Sequence, residues 1–503
     1  MSNWYLPLII LVPIIGAMLL ALFEQIKTLL TKIRINPEIF TNITANIVAL
    51  LTLGLGAYSV TSTSTWKYNT TPNGLLSYGL LEAILVTLFA FLVWLAVLFS
   101  ADYMKGKNGL GFYYALIFTL LAGLSSLVMA SNYFTFFIAW ELMALSSYAL
   151  VSFERQKRGA VESSLKYFIM STAGSLFVLL ATALTFGLYG TLDFEELMKV
   201  SEGSNVTAII LALFIIGFGV TASMIFLNAW LPDAHSNAPS TISALLSGIV
   251  VKAGAYAFYR TIYWAYGGYY EHGLLGDTSL VISWLGILTM LEGNLMVFAQ
   301  FWRKDIIDLK RILAYSTTVH LGYVILGLGA GTKLGVESSI LHIITHALGK
   351  GALFLLSGTM IAAVSSRDLR KMKGLGRRSP IIAITLTVGL LSLGGIPITG
   401  GFVSKLLIIL SALNSDLHNY GMNVAIVILA VINSILALGG YLYLLKYIVF
   451  DEPEEKSEAP IKVPVWEAIA LIILVISLIV IGLWPTKLFS IIEKAVKALD
   501  ILL

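Results

Sequence analysis

Lys252, Lys350 and Lys405 each interrupt a long apolar run. An ammonium at the centre of a membrane span costs roughly 2.5–3.5 kcal/mol on insertion scales, so each should face a polar or watery interior and be there for a reason. Lys350 has company, because His342, His346 and Lys350 recur at i, i+4 and i+8. On a helix rising about 1.5 Å per residue, that spacing lays three titratable groups along one face, about 6 Å apart and within reach of single bridging waters. Such a stripe suits proton relay: burial disfavours the charged form of acids and bases alike, which brings their proton affinities within exchange range. One helical histidine alone is more often a satisfied core hydrogen bond. A metal site is the third reading of HxxxH, set aside because no cysteine or carboxylate joins the stripe.

The other candidates are weaker or harder to place. His320, on the preceding run, is a further relay candidate. Lys166 and Arg260 lie toward the ends of their runs, where snorkelling to the interface competes with a functional role. Among the acids, Glu141 stands ten residues into its run, within Phe136–Leu142. Glu82 lies near a run's end. Glu292 lies near the middle of one, where it could join a relay or pair with a lysine.

These groups must be positioned by helices in a bilayer. Of 503 residues, 58% are hydrophobic and 12% charged, and the mean hydropathy is +0.88. A soluble domain carries about twice that charged fraction, so the fold class is an all-α polytopic membrane protein. Looking for about 20 apolar residues per span predicts about fourteen transmembrane helices, near 3–23, 39–60, 79–100, 111–130, 132–153, 161–189, 205–228, 238–265, 279–300, 312–330, 335–363, 380–413, 421–447 and 463–484. An even number puts both termini on one side. With the termini outside, the inner connectors take Lys27, Arg34, Lys105, Arg155, Arg303, Arg370, Lys446, Lys456 and their basic neighbours, while the outer ones hold Lys67, Lys199 and Lys333. That bias makes the basic loops cytoplasmic; the expected location is the plasma membrane of a prokaryote. No cysteine is present, which excludes disulfides, thiolate-held iron–sulfur clusters and a cysteine nucleophile. The short loops leave little with which to bind a soluble substrate; no cofactor, metal or nucleic acid is expected.

Two spans break. After the seventh, Pro232 bars the α conformation at Leu231 and Pro239 suits the first turn of a new helix. The twelfth breaks at Gly394–Gly401, before Lys405. Broken helices at membrane depth line cavities, and breaks five spans apart are what two inverted five-helix repeats give. The expected organisation is helices 1–3 in residues 1–110, a first repeat (helices 4–8) in 111–265, a second (helices 9–13) in 279–447, and helix 14 with a short amphipathic tail in 463–503.

Ordered along the chain, Trp140-Glu141, Leu231–His235 with Ala238-Pro239 and Ser243–Gly248, Lys252, Asp308–Arg311 with Ala314–Ser316, His346–Leu348, and Gly400–Phe402 with Lys405 resemble the antiporter-like subunits of respiratory complex I and of Mrp cation/proton antiporters. The likeness covers roughly residues 75 to 450. It is greatest to the Mrp D type, which also occurs in archaeal membrane-bound hydrogenases and sulfur-reducing complexes. The resemblance implies fourteen core helices, two inverted repeats with helices 7 and 12 broken, and a hydrophilic axis that carries protons. It makes Glu141 the helix 5 acid, Lys252 the helix 8 lysine, His320 and His346 central relay groups, and Lys405 the helix 12 residue at the outlet. One departure matters. The family commonly has a lysine nine residues before the tryptophan of its WLPDAH motif, paired with the helix 5 glutamate; here that position is Thr221, which cannot carry charge, so Glu141 is left to pair with Lys166 or the first half conducts poorly.

The leading expectation is a proton-translocating subunit, with coupling to Na⁺ left open, of a multisubunit respiratory or Mrp-type complex. Its partners would be other membrane subunits and the lipid bilayer, and the redox chemistry would belong to those partners. The competing readings are an independent secondary transporter of an organic solute and a structural subunit whose conduction is impaired by Thr221.

Overall fold

The computed structural model describes residues 6–32, 36–63, 69–70, 74–266, 275–453 and 459–497. Without water to satisfy it, backbone in a bilayer must bond to itself, which for a single apolar run means a helix. The described residues are helical almost throughout, apart from a two-residue ladder pairing Asn69–Thr70 with Ser77–Tyr78. In chain order the helices are α1 (Leu6–Gln25), α2 (Lys27–Lys32), α3 (Pro37–Thr63), α4 (Leu80–Tyr103), α5 (Leu110–Val128), α6 (Tyr133–Val151), α7 (Arg158–Tyr189), α8 (Phe194–Val200), α9 (Asn205–Thr221) and α10 (Leu231–Asn237). They continue with α11 (Ser240–Ala265), α12 (Leu275–Phe301), α13 (Leu309–Gly329), α14 (Lys333–Val364), α15 (Pro380–Gly394), α16 (Gly400–Leu413), α17 (Tyr420–Phe450), α18 (Val465–Leu483) and α19 (Pro485–Lys497).

Among the described residues, twelve helices are long and apolar enough to cross a membrane. At the places of the seventh and twelfth expected spans stand the shorter apolar helices α9, α15 and α16. Arg34, Lys67 and Lys456, which entered the charge comparison, lie outside the described residues, as do residues 498–503 of the tail. The described part of that tail, α19, is amphipathic and buries Ile492, Ala495 and Val496.

Both breaks are built from the chemistry their sequences offer. Past α9 the backbone turns through positive φ at Ser223 (55°) and Phe226 (64°). Side chains take up the groups this frees: Trp230 Nε1 donates to the Val220 carbonyl at 2.9 Å, and the Ile225 amide donates to Thr289 Oγ1 at 3.1 Å. Between α15 and α16, Gly395 (φ 77°) and Ile398 (φ 78°) reverse the chain. Thr399 Oγ1 then donates to the Ile396 carbonyl at 2.6 Å. Gly401 packs so tightly that a Cβ there would stand 1.9 Å from the Ser392 carbonyl oxygen, so only glycine fits.

The layers follow exposure. α11 is buried along its whole length, and α13 and α14 nearly so. Around them, α1, α7 and α17 turn large apolar side chains outward, such as Met18, Ile169 and Ile435, as a lipid-facing ring does. α12 and α13 meet backbone to backbone. A Cβ on Gly286 would stand 2.8 Å from the Gly322 carbonyl oxygen, and one on Gly322 2.7 Å from that of Gly286. Small residues permit such an approach, and in lipid close packing replaces the hydrophobic effect as the force between helices.

Arg260 does not snorkel. It is 1% exposed and lies 3.4 Å from Glu82 of α4. It donates to Ser77 Oγ and to the Ala130 carbonyl, each at 2.9 Å. Glu82 in turn accepts from the Gly79 amide at 2.9 Å and from the Tyr256 hydroxyl at 3.2 Å. The pair is a buried clamp tying α11 to α4, supported by these further hydrogen bonds as a buried ion pair needs.

Candidate functional site

The site starts from Lys252, buried on α11. α11 has a π-helical turn at Leu246–Val250, immediately before it, and π turns within α-helices are frequent at functional positions. The Lys252 ammonium donates to the Ser247 carbonyl at 2.5 Å and lies 2.5 Å from His346 Nδ1 of α14. Lys252 is 1% exposed and His346 2%.

His320 of α13 enters between the stripe's two histidines. Its ring stacks on His346 with centroids 4.6 Å apart and stands 5.2 Å from that of His342. Nδ1 of His320 is 3.0 Å from His342 Nε2, and its Nε2 is 3.1 Å from the Tyr441 hydroxyl of α17. His342 Nδ1 is 2.9 Å from Ser404 Oγ of α16, the residue before Lys405. The Lys405 ammonium, buried without a hydrogen-bond partner, lies 4.9 Å over the Tyr323 ring. Four helices, α11, α13, α14 and α16, thus bring Lys252, His346, His320, His342 and Lys405 into one buried row.

Lys350 occupies a branch. Its ammonium donates to the Leu313 carbonyl at 2.6 Å and to Ser316 Oγ. The helical spacing expected for the stripe holds, with the His342 and His346 rings 6.1 Å apart. The connection between them, however, runs through His320 on another helix.

The first half is different. Glu141 is half-buried, with Oε1 lacking a hydrogen-bond partner. Thr221 is 2% exposed. Lys166 does not pair with Glu141: its ammonium is 2.6 Å from Asp233 of α10, which also accepts from Arg311. The reason is depth, since Lys166 lies two turns from the start of α7, level with the carboxylate of the break. Among the described residues, Glu292 pairs with no lysine. It accepts from Asn228 Nδ2 at 2.8 Å, and Thr289, one turn earlier on α12, receives the Ile225 amide. Together they fasten the break after α9 to α12.

Residues 130–437 match the family described as NADH:quinone oxidoreductase/Mrp antiporter, transmembrane. The chain belongs to this family. It is 28% identical over 428 residues to the F(420)H(2) dehydrogenase subunit N of Methanosarcina mazei, covering 82% of this chain and 83% of that protein. The structure is similar to a chain of the membrane-bound sulfane sulfur reductase, an archaeal respiratory membrane complex, with a TM-score of 0.87 and 27% identity over 98% of this chain and 97% of that one. A chain of the Mrp complex from Dietzia sp. shares the fold, with a TM-score of 0.83 and 20% identity over 99% and 98%. The homologues are antiporter-like subunits of complex I-like and Mrp-type assemblies, and this family member is a multi-pass membrane protein.

Sequence reasoning missed Asp233 as the partner of Lys166, and Tyr441 and Ser404 as members of the histidine row. Asp233 was legible as a carboxylate in the motif beside a broken helix. Tyr441 and Ser404 carry no periodic signal of their own.

Proposed function

We propose that this chain moves protons through the buried row Lys252, His346, His320, His342 and Lys405, as the ion-translocating subunit of a multisubunit membrane complex. The single observation that carries the reading is the contact of Lys252 with His346 at hydrogen-bond distance, continued by the stack of the His346 and His320 rings and by the 3.0 Å contact of His320 with His342. Each imidazole can accept a proton at one nitrogen and release one from the other, and Lys405 stands at the row's end, over the Tyr323 ring that lies beside His342. Proton affinities shift when charge changes at a neighbouring subunit, and the proton steps along. Na⁺ coupling is the alternative cargo.

The positive-inside rule supports placing the basic loops in the cytoplasm and both termini outside. Two breaks five spans apart support inverted repeats over 111–265 and 279–447, within fourteen crossings. The conducting half is the second, because Thr221, the unbonded Glu141 oxygen and the capture of Lys166 by Asp233 leave the first without a lysine–glutamate pair. A wholly structural subunit predicts that no residue of the row matters. Replacing Lys405 by alanine in the assembled complex tests this: translocation per turnover should fall at least about tenfold, and an unchanged ratio with intact assembly leaves the structural reading standing.

A further inference from the structure

α3 presses on α4 at Gly56, where a Cβ would stand 3.2 Å from the Thr87 Cα. Between that contact and the face that carries the basic loops, a cleft of about 740 Å³ separates the two helices, a volume within the roughly 300–1,000 Å³ of small-ligand sites. Ile39, Ile43, Ile47 and Leu50 line it from one face of α3, and Trp94 and Leu98 from α4. From Glu38, at its mouth, to Leu50 is about 18 Å of helix at about 1.5 Å per residue, against about 15 Å for half of the hydrocarbon core. The cleft therefore runs about one leaflet deep.

Its mouth is polar and fixed in place. Glu38 stands at the start of α3, Asp102 and Lys105 at the end of α4, and Trp466 at the start of α18. Glu38 Oε1 accepts the Gly106 amide at 3.0 Å, Asp102 Oδ2 accepts the Trp466 amide at 2.8 Å, and Asn42 Oδ1 accepts from the Tyr114 hydroxyl of α5 at 2.6 Å. These bonds hold the walls of the mouth. Each carboxylate keeps a second oxygen, Glu38 Oε2 and Asp102 Oδ1, that accepts no hydrogen bond among the described residues. The Lys105 side chain is exposed and makes no ion pair among them. A polar hollow of about 240 Å³ adjoins the mouth, shares Asn36 and Glu38 with it, and adds Lys27 and Lys107.

We propose that this cleft binds one phospholipid with a primary amine in its headgroup, taken from the leaflet on the side of the basic loops. Its acyl chains lie along the apolar faces of α3 and α4, where an unfilled gap would forfeit dispersion contacts on both walls. The phosphate faces Lys105, and the ammonium makes charge-assisted hydrogen bonds to the open oxygens of Glu38 and Asp102. Trp466 stands where tryptophan is favoured, at the level of the headgroups. A headgroup that is only anionic would bring its charge against two carboxylates, and an apolar helix of a neighbouring subunit would offer the charges of the mouth nothing. The site stands apart from the histidine row and does not depend on conduction through it.

The test passes the assembled complex through vesicles of phosphatidylethanolamine and phosphatidylglycerol in equal parts, extracts it in mild detergent and counts the lipids retained per complex by native mass spectrometry. Wild type should keep one phosphatidylethanolamine more than Ala101→Trp, whose indole fills the cleft from the α4 wall. Glu38→Gln combined with Asp102→Asn still accepts both backbone amides and loses both charges, so its preference for the ethanolamine lipid should fall at least about threefold. Equal counts in wild type and Ala101→Trp, an unchanged preference in the double variant, or loss of phosphatidylglycerol instead in Ala101→Trp each overturns the proposal. If Ala101→Trp does not assemble, the same counts are read on Ala101→Leu. A helix as the occupant is tested separately: the chain has no cysteine, so Ile43→Cys takes a benzophenone maleimide at one place in it. Photo-crosslinking to a phospholipid supports the site, and crosslinking to another subunit overturns it.

Discussion

The Lys252 ammonium lies 2.5 Å from Nδ1 of His346, on two helices that are buried around both residues. Two cations cannot both be charged at hydrogen-bond distance without a counterion. The pair therefore holds at most one excess proton, and moving that proton from one to the other is the elementary step of the proposed conduction.

His320 is the link the row can least spare, because the His346 and His342 rings are 6.1 Å apart on their own helix and meet through it. His320→Gln fills the space but cannot take up a proton near neutral pH. Translocation per turnover should fall at least about tenfold, with the other subunits still co-purifying. Measurement of that ratio in proteoliposomes checks it.

Glu292 is expected to behave as a fastener. It accepts from Asn228 Nδ2, which the amide of Glu292→Gln can still satisfy, so this variant should translocate within about twofold of wild type. Glu292→Ala leaves the Asn228 donor bare, which costs about 1–3 kcal/mol, and should lower the melting temperature. Thermal unfolding of the two purified assemblies separates them.

The close approach of α12 and α13 sets the position of His320, two residues before Gly322. Gly286→Val would drive a side chain into the Gly322 carbonyl, and overpacking of this kind costs about 1–3 kcal/mol. Both the yield of assembled complex and its translocation should drop, whereas Gly439→Ala, with nothing within 4 Å of the added carbon, should change neither.

Outside the membrane, Glu154 follows α6 and receives Lys107 and, at 2.6 Å, Lys157. Burial pushes its carboxyl up, but hydrogen bonds from Lys107 and Lys157, with their charges, outweigh this and hold it below the ordinary 4.5. A depressed carboxylate contributes stability that is fully present above the unfolded value and is lost as pH falls through the folded one. Stability should therefore decline as pH drops below about 4.5, and Glu154→Gln should remove part of that decline, as read from melting temperature against pH.

Much of this was readable because charge in lipid is so costly that Lys252, Lys350 and Lys405 announce an interior. The breaks were readable too, since Pro232 and Gly394–Gly401 are incompatible with continuous helices. Helical spacing put His342 and His346 on one face but could not reveal that His320 of another helix lies between them, because that depends on the Gly286–Gly322 contact. Lys166 was visible as a cation but its partner was not, since depth along α7 decides between Glu141 and Asp233.

The most direct test of conduction through the row is the number of protons moved per turnover by the assembled complex carrying Lys252→Met, a substitution that keeps an unbranched side chain one atom shorter and removes its charge. The proposed pathway predicts a fall of at least about tenfold with assembly intact. A ratio equal to wild type would contradict it.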